Sequence, residues 1–274
     1  MIVVVACAVV GSVTVWLGVR SLEPTVPGDD RAASMATAED LEKVMQKRVF
    51  FGHQSVGRNI ISGIPELFKG DGADGPTVVE LASDSEIPAD QGGAAIIHAM
   101  VGQNRYPETK LDDFAKFLRA GVGKQVDVAL LKFCYLDVDS TTDVPGLFEQ
   151  YRSRMAQLSE EFPEVTFVYA TVPLRTEATD LKQWVKEVIG RPNDNAARER
   201  YNQLIRAEFA STGRLFDIAA IQSTGADGSR AARSHKGVVH YAMVDSYASD
   251  PGHLNAAGSV RAASEFLAVV GRVG

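Results

Sequence analysis

Cysteine is scarce in this 274-residue chain, which has only two. Cys7 falls in an apolar N-terminal stretch, so Cys134 is the one thiol left for the folded part. No intradomain disulfide can form there, and stability must come from a packed core. Basic clusters are missing as well. Lys and Arg number 28 against 35 Asp and Glu, for a formal net charge of -7. Without a polybasic patch the chain lacks the electrostatic footprint of a nucleic-acid binder. Histidines number only five, and none forms the tight i,i+4 pair of a zincin helix. His235 and His240, with Asp245, have only loose spacing for metal ligands. No metal and no cofactor are expected, although a metal-dependent hydrolase using these residues and His53 stays open as a rival reading. No internal repeat and no second domain are visible.

What is present begins with residues 1–19, MIVVVACAVVGSVTVWLGV, which carry no charge until Arg20. At about 1.5 Å of helical rise per residue this run nearly spans a hydrocarbon core, so residues 1–20 read as a secretory signal or a membrane anchor. Residues 21–38, with Pro24, Pro27 and Gly28, read as a solvated linker. Residues 39–274 read as one domain, placed outside the cytoplasm and tied to the membrane through the N-terminal segment. Hydrophobic residues make up 45% and charged residues 23% of the chain, an ordinary composition for a large core.

Within the domain, strand and helix patterns alternate. Strands are expected at 47–51, 77–81, 126–133, 165–171 and 215–218. Helices are expected at 55–68, 94–101, 111–118, 147–162 and 196–209, with another running to the C-terminus. The nearly continuous apolar run VDVALLKF suits a central strand covered on both faces. Alternation of this kind implies a parallel sheet with right-handed crossovers and helices on both sides.

Ligands of such sheets bind outside the carboxyl ends of the strands, and the chemistry-bearing residues fall there. Ser55 follows the first strand, Gly102-Gln103-Asn104 the second connection, and Lys132 to Tyr135 end the third strand. Near the C-terminus stands Asp250-Pro251-Gly252-His253-Leu254-Asn255-Ala256-Ala257-Gly258. An acid three residues before a histidine in a Pro-Gly turn can place its carboxylate under the imidazole and fix the tautomer, leaving a poised base. The plainer alternative makes Asp250 a helix cap, with His253 in the first turn.

These segments resemble the SGNH hydrolases, or GDSL-type esterases, over roughly residues 45–272. The resemblance rests on Asp250-Pro251-Gly252-His253-Leu254-Asn255 with Gly258, on Phe50-Phe51-Gly52 leading to Ser55, and on Thr171-Val172-Pro173. It implies a three-layer α/β/α architecture with a five-stranded, mainly parallel, flavodoxin-like sheet. It also implies a serine ester hydrolase in which Ser55 attacks, His253 is the base and Asp250 orients it. The substrate would be a small-molecule or polysaccharide ester, such as an acylated carbohydrate. An O-acyltransferase or a catalytically silent ligand-binding domain on the same fold are the alternatives. The family's Gly-Asp-Ser is replaced here by Gly52-His53-Gln54-Ser55, and its Gly-x-Asn-Asp by Lys132-Phe133-Cys134-Tyr135. The expected oxyanion donors are therefore the Ser55 N–H, the Gly102 N–H and the Asn104 side chain.

Several residues carry competing readings. His53 either touches the site or is hydrogen-bonded beside the first strand, and His98 reads as structural on an apolar helix. Cys134 could be a thiol nucleophile but reads better as a small packed hydrophobe. Lys132, sharing a strand face with Cys134, is expected to point over the site and to pair with Asp137 or Asp84. Residues 220–249 read as a long substrate-side loop, and Trp184 as core.

Overall fold

The segment RVFFGH is apolar on both sides of its pleat, which only a strand covered by two layers can accommodate. In the computed structural model, which describes residues 35–69, 75–82, 92–177, 193–235 and 237–273, it forms strand β1 (Arg48–His53). Phe51 points into one core with Val49, while Phe50 joins the other. The N-terminal apolar stretch and nearly all of the linker lie outside the described residues, as do Trp184 and Asp84. At the start of the described residues the Met35 carbonyl accepts from Arg272 Nη2 at 3.4 Å and the Ala36 N–H donates to Ser264 Oγ at 2.9 Å.

The sheet has six parallel strands rather than five, and the sixth comes from a segment expected to be helical. Residues 95–100, AIIHAM, form strand β3 (Ala95–Met100), paired along its whole length with β1. A short apolar run has no periodicity that separates a buried strand from a buried helix. Ile96 and Ile97 are β-branched, and the run stands between glycines with positive φ, Gly93 and Gly102, which favours the strand. The expected strand at 77–81 is β2 (Thr77–Leu81), at the sheet edge beside β3. On the other side of β1 lie β4 (Val128–Leu131), β5 (Thr166–Ala170) and β6 (Leu215–Phe216), giving the order β2-β3-β1-β4-β5-β6. Leaving out the edge strand β2, this is the doubly wound order whose switch point lies at β1.

Helices cover both faces. On one side lie α1 (Ala38–Val44), α2 (Ser55–Phe68) and the C-terminal α7 (Ala256–Arg272). On the other lie α3 (Pro107–Arg119), α4 (Val144–Glu161) and α5 (Asp194–Phe209). Gly63 of α2 sits so close to α7 that a Cβ would stand 2.4 Å from the Ser259 carbonyl oxygen. A side chain there would force the two helices apart. The ring of Phe51 stacks on Phe266 of α7 at 5.2 Å, and truncating so buried an aromatic typically costs about 3–5 kcal/mol.

Residues 220–249 are not a plain loop. They contain the end of α6 (Ile218–Ser223), the antiparallel hairpin β7 (Ala232–His235) and β8 (Val238–Tyr241), and most of the short strand β9 (Ala248–Asp250), which pairs with β10 (His253–Leu254). Among the described residues, no helix is long and apolar enough to cross a membrane.

Candidate active site

Ser55 is the first residue of α2, directly after β1, so its backbone N–H belongs to the unpaired donors at a helix N-terminus. Its hydroxyl lies 2.9 Å from His253 Nε2. On the other ring nitrogen, His253 Nδ1 stands 3.0 and 2.8 Å from the two oxygens of Asp250. The Asp250 carboxylate also accepts the Gly252 N–H at 2.8 Å and the His253 N–H at 3.0 Å. The Gly252 N–H, followed by the contact with His253, holds the Asp250 carboxyl below the usual carboxylate range. The carboxylate is therefore charged at neutral pH, and a charged partner fixes the proton on Nδ1 and leaves Nε2 as the acceptor.

Asp250 does not cap the C-terminal helix. That place is taken by Asn255, whose side chain accepts the Gly258 N–H at 3.0 Å. His253 lies before the helix, in β10. Leu254 N–H donates to Asn59 Oδ1 at 3.3 Å, tying this turn to the helix that carries Ser55. Gly252 has a packing reason to be glycine, since a Cβ would come within 2.5 Å of the Tyr135 ring. Tyr135 meets the His253 ring edge-on at 5.9 Å.

The loop after β3 is clamped residue by residue. Gly102 N–H donates to Asp113 Oδ2 at 2.8 Å, and Gln103 N–H to Thr109 Oγ1 at 2.9 Å. Lys110 Nζ donates to Asn104 Oδ1 at 3.0 Å, and Arg105 N–H to Asp137 Oδ1 at 2.9 Å. Arg105 has φ +74°, a left-handed conformation costing a non-glycine residue about 1–3 kcal/mol, held here by the surrounding bonds. Gln54, next to Ser55, joins the nucleophile's helix to this loop through bonds to the Val101 and Gly102 carbonyls at 2.7 and 3.0 Å. The Gly102 N–H expected as an oxyanion donor is thus already engaged by Asp113. With Asn104 Oδ1 facing Lys110, its Nδ2 group is turned the other way.

Lys132 departs from expectation. Its side chain is fully buried, and its ammonium donates to the Phe133 carbonyl at 3.2 Å. Burial pushes its pKa down to about 8. Asp137 pairs with Lys110 instead, and both of those side chains are completely buried. Phe133 and Tyr135, two residues apart, enter opposite cores, which strand alternation would not allow. The strand stops at Leu131, and the chain turns through a 3₁₀ segment at Tyr135–Asp137.

His53 is buried and hydrogen-bonded. Its Nδ1 faces the Gln54 carbonyl at 2.8 Å and its Nε2 faces His98 Nδ1 at 3.0 Å, with burial pushing its pKa to about 3. His98 therefore sits on a strand, not on a helix. His240 Nε2 stands 3.1 Å from both oxygens of Glu177. Among the described residues no three His, Cys, Asp or Glu side chains converge as a metal site. Cys134 is packed in the core, and its N–H donates to Asp137 at 2.7 Å.

Fold and site together define a doubly wound α/β protein with a hydrogen-bonded Ser–His–Asp array on the carboxyl rim of its sheet. The three-layer arrangement implied by the sequence resemblance is present. No protein-family model and no curated protein matches the sequence. Similar solved structures include a lipase/acylhydrolase from Enterococcus faecalis, at 12% identity over 83% of this chain and 96% of that one, TM-score 0.48. A protein from Desulfitobacterium hafniense assigned to the G-D-S-L lipolytic family is 8% identical over 81% and 98% of the two chains, TM-score 0.47. The periplasmic domain of a lipopolysaccharide acetyltransferase from Salmonella ser. Paratyphi A is 11% identical over 85% and 88%, TM-score 0.45.

Proposed function

We propose that this chain is a serine ester hydrolase of the SGNH type, and the observation that carries the reading is the 2.9 Å contact between His253 Nε2 and Ser55 Oγ with Asp250 behind the ring. In this reading His253 takes the Ser55 proton as the hydroxyl oxygen attacks the ester carbonyl, and Asp250 stabilises the imidazolium that forms. The developing oxyanion is met by the Ser55 N–H at the start of α2 and by Asn104 Nδ2. Lys110 holds Asn104 through its Oδ1, and donors held in place before the reaction are what make such a hole effective. Collapse expels the alcohol, which takes a proton from His253, and leaves an acyl-serine. Water then repeats the cycle in reverse, with His253 as base.

Water has access to the proposed acyl-enzyme across an open rim. The His253 side chain is 31% exposed and that of Asp250 53%, so water, or an alcohol in the transferase alternative, reaches the acyl-enzyme from this side. The uncharged run of residues 1–19 supports a domain held outside the cytoplasm, where an acylated carbohydrate is a fitting substrate. Labelling with a fluorophosphonate probe, followed by peptide mapping, tests the reading, together with a screen of short-chain p-nitrophenyl esters. The expected result is a single adduct on the peptide carrying Ser55 and turnover of a short-chain ester. An unlabelled Ser55 with no ester turned over would overturn it and favour a silent binding domain.

A further inference from the structure

We propose that Arg175 binds a carboxylate carried by the substrate close to the scissile ester, which makes acidic esters the preferred substrate class. This deepens the esterase reading and rests on it. Arg175 lies beyond β5 on the same rim as the triad, in a segment held rigidly. Its N–H donates to Asn195 Oδ1 at 3.1 Å, and its carbonyl accepts Asn195 Nδ2 at 2.8 Å and Met243 N–H at 3.0 Å. The next residue, Thr176, donates its N–H to the Pro251 carbonyl at 3.0 Å, inside the turn between Asp250 and His253. Tyr135 links the two groups. The Arg175 guanidinium carbon is 5.6 Å from the ring centroid, and the His253 ring meets the same ring edge-on.

Among the described residues no carboxylate lies within ion-pair distance of this cation, and its Nε is buried without a hydrogen bond, as are those of Arg233 and Arg261; of the three, Arg175 is the one beside the His253 turn. Holding a partly buried guanidinium without an anion costs free energy, and a bound anion is one of the ways such a group is satisfied. The neighbouring carboxylates are already engaged. Asp250 holds the Gly252 and His253 donors, while Glu177 holds His240 and Asn193. Arg198 also stands over Tyr135, at 5.8 Å, but its donors are used by the Tyr135 carbonyl and Asn195, and Asp194 lies 3.8 Å away. Among the described residues, what remains is one half-buried fork whose charge no carboxylate meets. A planar guanidinium fork pairs with a carboxylate through two parallel hydrogen bonds, and its single charge balances a monoanion such as a carboxylate rather than a dianion.

The test compares acidic and neutral esters in matched pairs. 4-Acetoxybenzoate against its methyl ester places the charge on the alcohol side, and 4-nitrophenyl hydrogen succinate against 4-nitrophenyl butyrate places it on the acyl side. In at least one pair the ratio of kcat/KM, acidic over neutral, should fall about ten- to a hundredfold in Arg175→Met, the loss expected for a charge-assisted hydrogen bond. Arg175→Lys should restore part of it, and the change should lie mainly in KM. Ratios that Arg175→Met leaves unaltered in both pairs, or parallel losses in all four rates with a lowered Tm, would overturn the proposal. If no ester is turned over and Ser55 takes no fluorophosphonate, the esterase reading fails by itself. Binding of succinate and 4-hydroxybenzoate, followed by ligand-observed NMR, then decides the carboxylate claim: binding abolished in Arg175→Met supports it, and no binding to the wild-type chain sinks it.

Discussion

Lys110 and Asp137 form an ion pair with both side chains wholly shielded from solvent, and this pair holds the loop that carries the proposed oxyanion amide. Lys110 also donates to Asn104 Oδ1, and Asp137 also accepts the Arg105 and Cys134 N–H groups. Two effects should therefore separate by mutation. Asn104→Ala should lower kcat by roughly a hundredfold with only a modest loss of Tm, because one oxyanion donor is lost while Lys110 gives up one acceptor but keeps Asp137. Lys110→Met should lose stability first, by about 3–5 kcal/mol, since it leaves a buried carboxylate without its cation. Melting curves and ester kinetics on the two variants are the check, and full kcat in Asn104→Ala would remove that side chain from the mechanism.

The triad gives a second expectation. Ser55→Ala and His253→Ala should each cost on the order of a thousandfold or more in kcat/KM with the fold intact, and Asp250→Asn somewhat less. Hydrolysis of a short-chain p-nitrophenyl ester measures all three. Wild-type turnover in Ser55→Ala, with an inactive Cys134→Ala, would move the nucleophile to the thiol.

The signals that located the triad are local ones. An Asp-x-x-His in a Pro-Gly turn and a serine where a strand pattern meets a helical pattern are each written in a few consecutive residues. Asn104 is nominated for the same reason, from a polar loop after a glycine, and its part in the site is a proposal. What stayed hidden was tertiary. Lys110 and Asp137 come from a helix and from the turn after β4, and nothing in either segment announces the other. The misreading of residues 94–101 has a different cause, because a fully buried strand in a parallel sheet has no alternation to reveal it. Arg175 lay within reach of the rule that ligands gather at strand ends, four residues beyond Thr171. Its significance depends on Tyr135, whose ring direction follows from the 3₁₀ turn and not from strand alternation.

Lys132 yields a prediction opposite to that of an oxyanion lysine. Burial lowers its folded pKa from 10.5 to about 8. The folded state therefore carries an unfavourable charge that is present in full below pH 8 and fades as pH rises toward 10.5. The penalty is about 3 kcal/mol by linkage. Lys132→Met should raise Tm at pH 7, less the small loss of the bond to Phe133, and the gain should shrink toward pH 10. Turnover on a neutral ester at pH 7 should stay within a few-fold of the wild type. A large loss of kcat without a rise in Tm would return Lys132 to the chemistry.

Glu265 on α7 sets a pH dependence of stability of the opposite sign, in a lower window. Its side chain lies in the interior, and Oε2 has no hydrogen-bond partner among the described residues. Burial is the main cause, with the charge of Asp217 adding to it, and together they push the carboxyl from 4.5 up to about 7. The cations of Arg272 and Arg261 offset this only in part. In the unfolded chain the group ionises near its ordinary value, so between about pH 4.5 and 7 the folded state holds the extra proton. Stability falls with rising pH wherever the folded state binds more protons. The contribution of Glu265 is thus neutral below about pH 4.5, declines through the interval, and reaches a penalty on the order of 3 kcal/mol above pH 7. Glu265→Gln keeps the shape and removes the charge. It should match the wild type in denaturant unfolding at pH 4.5 and exceed it by about 2–3 kcal/mol at pH 8, less any cost of hydrogen-bonding the amide. A difference between the two proteins that does not change from pH 4.5 to pH 8 would mean that Glu265 is ionised in the folded state throughout, held by Arg261 or Arg272 more tightly than the static contacts indicate.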